Sequence, residues 1–487
     1  MVRVFLAVSG TLAVAAHVAV TMATSVSFVN DCAYDISLYD NNVTETIAGG
    51  SSTTRELADG FSGMFRNGTS AEATLAEFAI SGGKAWYALS TVPPGAGNCT
   101  SYAECAVTSG KTGYNVAMSI TPNIGNTSAN TECAAVICES ADCDGAYLYP
   151  TDSTKLRNCP DNLPIEVAFY ASISSSFVYS GTDAGSAAGT YGKVTEMSSC
   201  TTEDVSLTDP VGPFSEEVTM VFRGPMNIYN IAVFNTTSGS DWSKISSYSQ
   251  NGTQDNMVFM NNMNIDYTGA DSSPQGYSTD DGTATATEST VFGGSLADAS
   301  DTSVTGGGPC VTTGCEVNIM TATNCADEDG CIGYYDDMGF HGWDGGMKMF
   351  VTKVMMPTGS TANLPAIWML NAQVVRASQY GCNCRGEGSE GGCGELDVAE
   401  VIETNTAQDK VSTHYYFYDG SVSPGGDNYA SRPTDSAVTY VTIIDNSGTG
   451  TIKIIELGGD DFDFSVDSIS SSTVSTWIDA SVENLLS

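Results

Sequence analysis

The chain has 487 residues, with 17 Lys and Arg against 57 Asp and Glu, and a formal net charge of −40. Such a field repels nucleic acids and anionic membranes and disfavours polyanionic substrates, which leaves neutral polysaccharides as macromolecular partners. With only three histidines, a histidine-rich zinc site is disfavoured, and no phosphate-binding glycine loop follows a clear strand. We therefore expect no metal and no cofactor.

Residues 1–23 have the composition of a secretory signal peptide. Arg3 precedes an apolar run over residues 4–20, and small residues follow. A membrane anchor is the alternative, but Ser, Gly, Thr and His dilute the run, and no second apolar stretch of about twenty residues occurs. We expect a protein secreted to the extracellular space or the cell wall, without a membrane span.

Fifteen cysteines agree with an oxidising compartment. Eight precede residue 201 and predict bridges within the N-terminal half, with Cys133 and Cys138 paired together or with near neighbours. The other seven follow residue 309, and Cys382, Cys384 or Cys393 should pair around one loop. Glycosylation is predicted by six sequons, at Asn42, Asn67, Asn98, Asn126, Asn235 and Asn251.

Residues 24–172 contain short β-strand patterns separated by Gly, Ser and Asn, without a long amphipathic helix. Several of its segments keep the order found in thaumatin-like proteins. These are residues 25–34, 74–78 and 113–120, then the Cys133-x4-Cys138 pair. This resemblance implies a disulfide-bound β-sandwich for the N-terminal domain.

Glu77 stands where the thaumatin-like family has its cleft glutamate, and several members of that family bind β-1,3-glucan. Ala88 and Thr112 fall near the positions where the family usually has aspartates. The resemblance therefore disfavours hydrolysis by this domain and leaves two alternatives, glucan binding or a spacer without a ligand.

Residues 173–214 are rich in Ser, Gly, Ala and Thr, and we predict a connector that buries little apolar surface. Strand patterns return from residue 218. The predicted organisation is thus a signal peptide (1–23), a first β domain (24–172), a connector (173–214) and a second β domain (215–487).

Three carboxyl groups, Glu395, Asp397 and Glu400, lie at positions i, i+2 and i+5 of a strand pattern. In a regular strand the first two share a face and the third points away. One β-bulge, which we predict at residues 398–399, would bring all three to one face. Hydrolysis of a glycosidic bond needs one ionised and one protonated carboxyl group. The alternative is a solvent-facing acidic edge strand.

The strand patterns before this triplet carry a second resemblance. Residues 364–370 read LPAIWML and residues 395–400 read ELDVAE, an order that resembles the laminarinase-type family-16 glycoside hydrolases. Residues 380–384 and 430–434 narrow the resemblance to the Tos-like glycosyl hydrolases of fungal and oomycete cell walls. It covers about residues 215–460 and implies an all-β protein with a β-jelly-roll second domain. Few residues follow Glu400 for the later strands of that fold, so these strands are either shortened or missing from the sequence.

The family-16 resemblance implies retaining hydrolysis or transglycosylation of cell-wall β-glucan, with β-1,3 linkage favoured. Glu395 is then the nucleophile, Glu400 the acid and base, and Asp397 the residue that orients Glu395. The two outer carboxyl groups of a retaining enzyme lie about 5–5.5 Å apart.

Substrate binding is assigned to five residues around the triplet. Trp343, beside His341, has glycines on both sides and is expected to expose its ring as a sugar platform. Trp368 could lie in the core or in a subsite, and His414 could line the cleft. Arg432 could bind sugar hydroxyls or neutralise one acid.

Two other functions remain open from the sequence. One is a non-catalytic protein that binds cell-wall glucan, and the other is a secreted structural or host-interacting protein built on the thaumatin-like half. The intact triplet favours the enzyme over the first alternative. The incomplete acidic cleft of the N-terminal domain weakens the second.

Overall fold

A computed structural model describes most of residues 23–480. Its gaps are residues 33, 125–131, 172, 197–198, 251, 269–272, 298–315, 332–333, 336, 360–362, 387–391, 403, 419, 423–428 and 459–460. Most of the predicted signal peptide, the sequons at Asn126 and Asn251, and Cys310 and Cys315 lie outside the described residues. Among the described residues, no helix is long and apolar enough to cross a membrane.

The N-terminal unit, residues 23–171, packs two sheets around one apolar core. The first sheet has the strand order β4-β1-β12-β8-β9, in which β1 and β12 run parallel. The second has the order β10-β7-β6-β5-β2-β3, with β11 also paired to β7. The strands are β1 (Ala23–Asn30), β2 (Ile36–Tyr39), β3 (Thr44–Ile47), β4 (Ser52–Ala58), β5 (Ser62–Asn67), β6 (Leu75–Ser81), β7 (Lys84–Ser90), β8 (Ala117–Pro122), β9 (Val136–Cys138), β10 (Ala146–Tyr147), β11 (Arg157–Pro160) and β12 (Ile165–Tyr170), and α1 is Tyr102–Ser109.

The C-terminal unit, residues 173–480, contains two large sheets. The first, called the β25 sheet, has the order β13-β32-β31-β25-β17-β18-β19 among the described residues, with β23 on β17 and β33 on β18. Its strands are β13 (Ile173–Ser180), β17 (Met226–Asn235), β18 (Trp242–Ser249), β19 (Thr253–Asp255), β23 (Ser295–Leu296), β25 (Met347–Met355), β31 (Val438–Asp445), β32 (Thr451–Gly458) and β33 (Ser468–Ile469).

The second, called the β27 sheet, has the order β22-β21-β20-β24-β16-β26-β27-β28-β29, with β30 on β28. Its strands are β16 (Val218–Arg223), β20 (Val258–Asn261), β21 (Gly276–Ser278), β22 (Thr285–Ala286), β24 (Val317–Met320), β26 (Ala366–Asn371), β27 (Glu395–Glu400), β28 (Lys410–Phe417), β29 (Gly420–Val422) and β30 (Ala430–Ser431). A separate hairpin is formed by β14 (Gly189–Glu196) and β15 (Thr201–Leu207). The helices are α2 (Ala372–Ala377) and α3 (Ser471–Asp479).

The two large sheets pack face to face through the largest apolar cluster of the described residues. Phe222, Met369 and Leu396 of the β27 sheet meet Phe350 and Ile454 of the β25 sheet in this cluster. The all-β prediction is confirmed, as is the expected absence of long helices in the part of the chain described. The thaumatin-like and family-16 architectures stay predictions.

Both large sheets are also covered on their outer faces, which explains their nearly continuous burial. Trp477 of α3 packs with Val441 and Leu457 on the outer face of the β25 sheet. On the β27 sheet, Val221 and Leu370 pack with Tyr191 of β14. Strands buried on both faces lose the apolar and polar alternation that identifies a strand in sequence.

The predicted connector at 173–214 is wrong for its described residues. β13 pairs antiparallel with β32 and completes the edge of the β25 sheet, and β14 pairs with β15. Tyr179 and Tyr191 supply apolar surface, being 2% and 0% exposed. A few large side chains in a segment of small residues are therefore enough to anchor it.

The disulfides partly confirm and partly correct the predicted pairing. Within the N-terminal unit the bridges are Cys99–Cys105, Cys133–Cys159 and Cys138–Cys143. Cys384–Cys393 closes the loop before β27, as predicted. Cys200 instead bridges to Cys382, across 182 residues of sequence, so the first eight cysteines do not pair among themselves. Cys32 is buried and forms no disulfide among the described residues.

Candidate active site

Strand β27 contains the predicted bulge. Its pairing with β26 places Ala399 opposite Ile367 and Asp397 opposite Trp368, so Val398 is the extra residue. The pairing with β28 shifts in the same place, between Asp397 and Glu400. The prediction of a bulge at residues 398–399 is therefore confirmed.

The bulge separates the apolar and acidic side chains of β27 onto different faces. Leu396, Val398 and Ala399 all lie in the core between the two large sheets. The side chains of Glu395, Asp397 and Glu400 are 13%, 6% and 24% exposed and interact electrostatically with one another. They lie on the face turned away from the β25 sheet.

Glu395 forms a two-pronged ion pair with Arg385. Nη2 of Arg385 donates to Oε1 of Glu395 at 2.8 Å, and Nε donates to Oε2. Arg385 follows Cys384, whose disulfide to Cys393 holds this loop beside the start of β27. The guanidinium also lies 5.1 Å from the ring centre of Tyr380 and 5.7 Å from that of Trp368. Glu395 is thus held in one orientation by a cation that is itself fixed.

Glu400 has a weaker contact with a second arginine. Nη2 of Arg223, the last residue of β16, donates to Oε1 of Glu400 at 3.0 Å. Nε of Arg223 donates to the carbonyl oxygen of Leu364 at 2.8 Å, which fixes the guanidinium. Its Nη1 lies 3.9 Å from Oε1 of Glu316, so two carboxyl groups face one cation.

Glu316 is a fourth carboxyl group of the site and lies beneath the other three. Its side chain is 3% exposed, and Oε2 accepts hydrogen bonds from the Tyr380 hydroxyl and, at 3.3 Å, from Nε2 of Gln379. Burial raises the pKa of Glu316 to about 7, although the Arg223 charge and the Tyr380 hydroxyl act in the opposite direction. This carboxyl group therefore holds a proton up to near neutrality.

Asp397 lies between the two glutamates. Burial raises its pKa well above the usual range, and the charges of Glu400 and Glu395 act in the same direction. Oδ2 of Asp397 lies 3.7 Å from Nδ1 of His414, which stands opposite it on β28. His414 is therefore beside the triplet, where the sequence placed it.

Asp397, Glu400 and His414 are also the groups that a metal ion could bridge. One ligand atom from each lies within 4.8 Å of the others. Arg223 already donates to Glu400, so a side chain supplies positive charge at this point.

Trp343 does not form the predicted sugar platform. It is 2% exposed, lies in the core between the sheets and donates from Nε1 to Ser246 Oγ at 2.8 Å. A Cβ on the neighbouring Gly342 would come within 2.7 Å of the Val218 carbonyl oxygen. The glycine therefore allows a close approach to β16 and burial of the ring, which is the opposite of the exposure we expected.

Trp368 lies under the acidic residues and is not an exposed platform either. It is 2% exposed, and its Nε1 donates to Oε1 of Gln379 at 3.2 Å. Arg223 and Arg385 lie 5.6 and 5.7 Å from its ring centre. Of the two alternatives left by the sequence, the core position is the one observed, and the ring supports both arginines.

His341 and Arg432 are engaged elsewhere. Nδ1 of His341 lies 2.6 Å from Oε1 of Glu217, and Oε2 of Glu217 accepts a hydrogen bond from Arg376. This group lies next to the Val218 end of β16. Arg223 occupies the other end of that strand, roughly 17 Å away at 3.3 Å per residue. Arg432 is 4% exposed and donates to backbone carbonyls of 356, 357 and 408, so its role is structural.

Three residues of the site, Arg223, Glu316 and Arg385, were missed as functional residues in the sequence. Arg223 is separated from Glu400 by 177 residues, and only the pairing of β16, β26 and β27 brings them together. Arg385 had a usable signal, because it directly follows Cys384 in the loop predicted to be bridged. A charged residue beside a disulfide that leads into an acidic strand is a candidate counter-ion.

Comparison with known proteins identifies the family. Residues 240–477 match the family described as "Cell wall protein YJL171C/Tos1, C-terminal", and residues 178–236 match the corresponding N-terminal family. The two matches together cover more than half of the chain. These are families of cell wall proteins, in agreement with the predicted secreted or cell-wall localisation.

Three fungal relatives illustrate the similarity. "Probable circularly permuted 1,3-beta-glucanase TOS1" of Saccharomyces cerevisiae is 33% identical over 262 residues, 50% of each chain. "Probable circularly permuted 1,3-beta-glucanase PGA52" of Candida albicans is 28% identical over 330 residues, 60% of this chain and 79% of the relative. A "Probable circularly permuted 1,3-beta-glucanase" of Arthroderma benhamiae is 33% identical over 168 residues, 32% of this chain and 36% of the relative. The chain spans about half the length of the first relative. The protein therefore belongs to the Tos1-like family of cell wall proteins.

Proposed function

We propose that this protein is a retaining glycoside hydrolase or transglycosylase that acts on β-1,3-glucan of a cell wall. One observation carries the proposal. Two glutamates on the same face of a bulged strand are paired unequally with arginines, Glu395 through two contacts and Glu400 through one. Retaining enzymes require such a difference between two carboxyl groups, since one is ionised while the other holds a proton.

Glu395 is the nucleophile in this proposal. A two-pronged guanidinium contact stabilises the ionised form of a carboxyl group and fixes the direction of its oxygens. In the first step, one oxygen of Glu395 bonds to the anomeric carbon and the glycosidic C–O bond breaks. The product is a glycosyl ester on Glu395 and a free hydroxyl on the leaving sugar.

Glu400 is the acid that gives its proton to the departing oxygen, and afterwards the base that takes a proton from water or from an acceptor sugar. It is the most exposed member of the triplet, as a group that exchanges protons with solvent should be. Its single contact with Arg223 permits both charge states more readily than a two-pronged contact would.

Asp397 acts as a neutral hydrogen-bond donor to the nucleophile. Burial and the charges of the neighbouring glutamates raise its pKa well above the usual range, which favours the protonated form of Asp397 beside an ionised Glu395. A protonated carboxyl group can donate to Glu395 without adding a third negative charge to the face. This role deepens the sequence-based expectation that Asp397 orients Glu395.

Similarity to named relatives supports β-1,3-glucan as the proposed substrate. The relatives' names describe circularly permuted 1,3-β-glucanases. In this chain β13, which precedes the triplet by more than 200 residues, pairs with β32 near the C-terminal end. Pairing of an early strand with a late one agrees with the permutation that the relatives' names describe.

The test is incubation with laminari-oligosaccharides, with products resolved by mass and the anomeric configuration of fresh product followed by ¹H NMR. We expect shorter β-linked oligosaccharides, or longer ones where transfer competes with water, and no turnover for Glu395→Gln. Glu456→Gln is the matched control, since Glu456 is a buried carboxyl group of β32 bound to Ser174. Initial α-anomers, or turnover by Glu395→Gln at the wild-type rate, would contradict the mechanism. Binding without turnover would support the glucan-binding alternative.

A further inference from the structure

We propose that Glu316 is a positioning residue that acts through Arg223. It supplies the negative charge that Arg223 needs whenever Glu400 holds a proton. The inference rests on the proposed roles of Glu395 and Glu400, and it adds a residue that neither the sequence patterns nor the relatives' names assign.

Arg223 cannot leave the site to find another partner. Its Nε donates to Leu364 O at 2.8 Å, its guanidinium packs 5.6 Å from the ring centre of Trp368, and its side chain is 9% exposed. A buried cation without a nearby anion is costly. Among the groups that face it, Glu400 lies on the exposed side and Glu316 on the buried side.

Glu316 is placed to respond to Arg223. Oε2 is held by Tyr380 and Gln379, while Oε1 points to Arg223 Nη1 at 3.9 Å and makes no hydrogen bond among the described residues. That separation is longer than a hydrogen bond and within the range of a strong buried ion pair. The pKa of about 7 agrees with a carboxyl group that releases its proton only when Arg223 needs a counter-ion.

The proposed reaction moves one negative charge across the site. Before the first step, Glu395 is ionised against Arg385 and Glu400 is protonated. When Glu400 gives its proton to the glycosidic oxygen and Glu395 becomes an ester, the negative charge has passed from the Arg385 side to the Arg223 side. With Glu400 protonated, Glu316 is ionised and balances Arg223 before the step. After the step both carboxyl groups are ionised, and the proton that Glu400 takes from water or from the acceptor sugar restores the single proton that the two groups share.

Glu316→Gln separates this role from packing. Glutamine keeps the shape and can still accept from Tyr380, but it cannot be ionised. Of the described carboxyl groups that face Arg223, only Glu400 could then balance its charge, so Glu400 would stay ionised more readily and serve less well as an acid. Other charged or titratable groups facing Glu316 or Glu400 are Tyr380, Arg385, Glu395, Asp397 and His414, and all are unchanged in the variant.

The first measurement compares two substrates with different leaving groups. Laminari-oligosaccharides need an acid to protonate the departing oxygen, and a 2,4-dinitrophenyl β-glycoside of laminaribiose does not. Since general acid catalysis contributes 10²–10⁴-fold, we expect Glu316→Gln to lower kcat/KM about tenfold on the first substrate and less than about threefold on the second. Equal losses on both would overturn the proposal and indicate a packing role.

Glu217→Gln is the matched control. Glu217 also pairs with a buried arginine, Arg376 at 2.8 Å, near the far end of β16. This variant should change kcat/KM on the two substrates by the same factor. If Glu217→Gln lowered kcat/KM selectively on the oligosaccharide, removal of any buried carboxylate would have the effect expected for Glu316→Gln. That result would overturn the specific role of Glu316.

The second measurement does not depend on activity. Glu400→Gln imitates protonated Glu400, so in that background Glu316 is the described carboxyl group left to balance the charge of Arg223. We expect Glu316→Gln to lower Tm by at least about 5 °C more in the Glu400→Gln protein than in the wild type. Equal Tm changes in the two backgrounds would overturn the proposal. If the wild type hydrolyses neither substrate, the proposed function fails, and this cycle alone decides the role of Glu316.

Discussion

Arg385, which directly follows the disulfide-bonded Cys384, donates hydrogen bonds to both carboxylate oxygens of Glu395. The disulfide Cys384–Cys393 closes the loop, and Arg385 is in turn covered by the rings of Tyr380 and Trp368. Orientation of the proposed nucleophile thus depends on a covalent link outside the strand that carries it.

The first prediction concerns Arg385. In Arg385→Gln, Glu395 loses the two-pronged partner that fixes the direction of its oxygens, so kcat/KM on laminari-oligosaccharides should fall by about tenfold or more. Arg385→Lys keeps the charge without the two-pronged geometry and should show a smaller loss. The measurement is kcat/KM of the wild type and both variants under the same conditions. Unchanged kcat/KM in both variants would mean that Arg385 does not orient the nucleophile.

A second prediction concerns the pH dependence of stability at Glu316. In the free protein, where Glu400 balances Arg223, Glu316 keeps its proton up to about pH 7, whereas the unfolded chain loses it near the ordinary glutamate value of 4.5. Between these values the folded state binds more protons, so stability falls as pH rises. Relative to Glu316→Gln, the wild type should lose about 3 kcal/mol of unfolding free energy between pH 4.5 and 7.

Urea denaturation at several pH values measures this difference. Glu203→Gln, at an exposed position of β15, is the control and should leave the pH dependence unchanged. If the difference in unfolding free energy between the wild type and Glu316→Gln stayed constant over that range, Glu316 would already be ionised in the free folded protein.

The third prediction concerns Lys348 of β25, which is fully buried. Burial lowers its pKa to about 7, against the charges of Asp344, Glu217 and Glu216. The unfolded chain keeps this proton up to about pH 10.5, so above pH 7 the unfolded state binds more protons and stability rises with pH. Relative to Lys348→Met, the wild type should gain about 2 kcal/mol between pH 7 and 8.5.

Lys353→Met on the same strand is the control, because Lys353 is only partly buried. Chemical denaturation at pH 7 and 8.5 gives the comparison. The predicted sign would be wrong if the unfolding free energy of the wild type fell, relative to that of Lys348→Met, between pH 7 and 8.5.

The fourth prediction concerns the Cys200–Cys382 bridge. It closes a loop of 182 residues and ties the end of the β14–β15 hairpin to the segment after α2. Replacing both cysteines by serine should lower the unfolding free energy of the C-terminal unit by about 2–5 kcal/mol. The corresponding change at Cys138–Cys143, which are five residues apart, should cost less and leave glucan turnover intact. Calorimetry under non-reducing conditions makes the comparison.

The spacing of Glu395, Asp397 and Glu400 was enough to predict the bulge, because side-chain parity in a strand is a local property. The arginines that distinguish the two outer glutamates come from β16 and from the loop before β27. Local patterns contain no information about which distant strand becomes a neighbour. The charge assignments of the site were therefore available only from the fold.

The errors have a similar origin. For Trp343, glycine neighbours were read as a sign of exposure, whereas a missing Cβ also allows two backbones to approach closely. For residues 173–214, average composition concealed Tyr179 and Tyr191, which anchor the segment in apolar clusters. In both cases burial was decided by residues that are distant in sequence and adjacent in the fold.

The pairing of β13 with β32 has a practical consequence for dissecting the molecule. A shortened protein beginning at residue 215, the boundary suggested by composition, would leave one edge of β32 unpaired, because β31 covers only the other edge, and Cys382 would lack its partner. Open strand edges of this kind recruit strands from other molecules. Recombinant versions of the C-terminal unit should thus start no later than Ile173, and those that start later should precipitate.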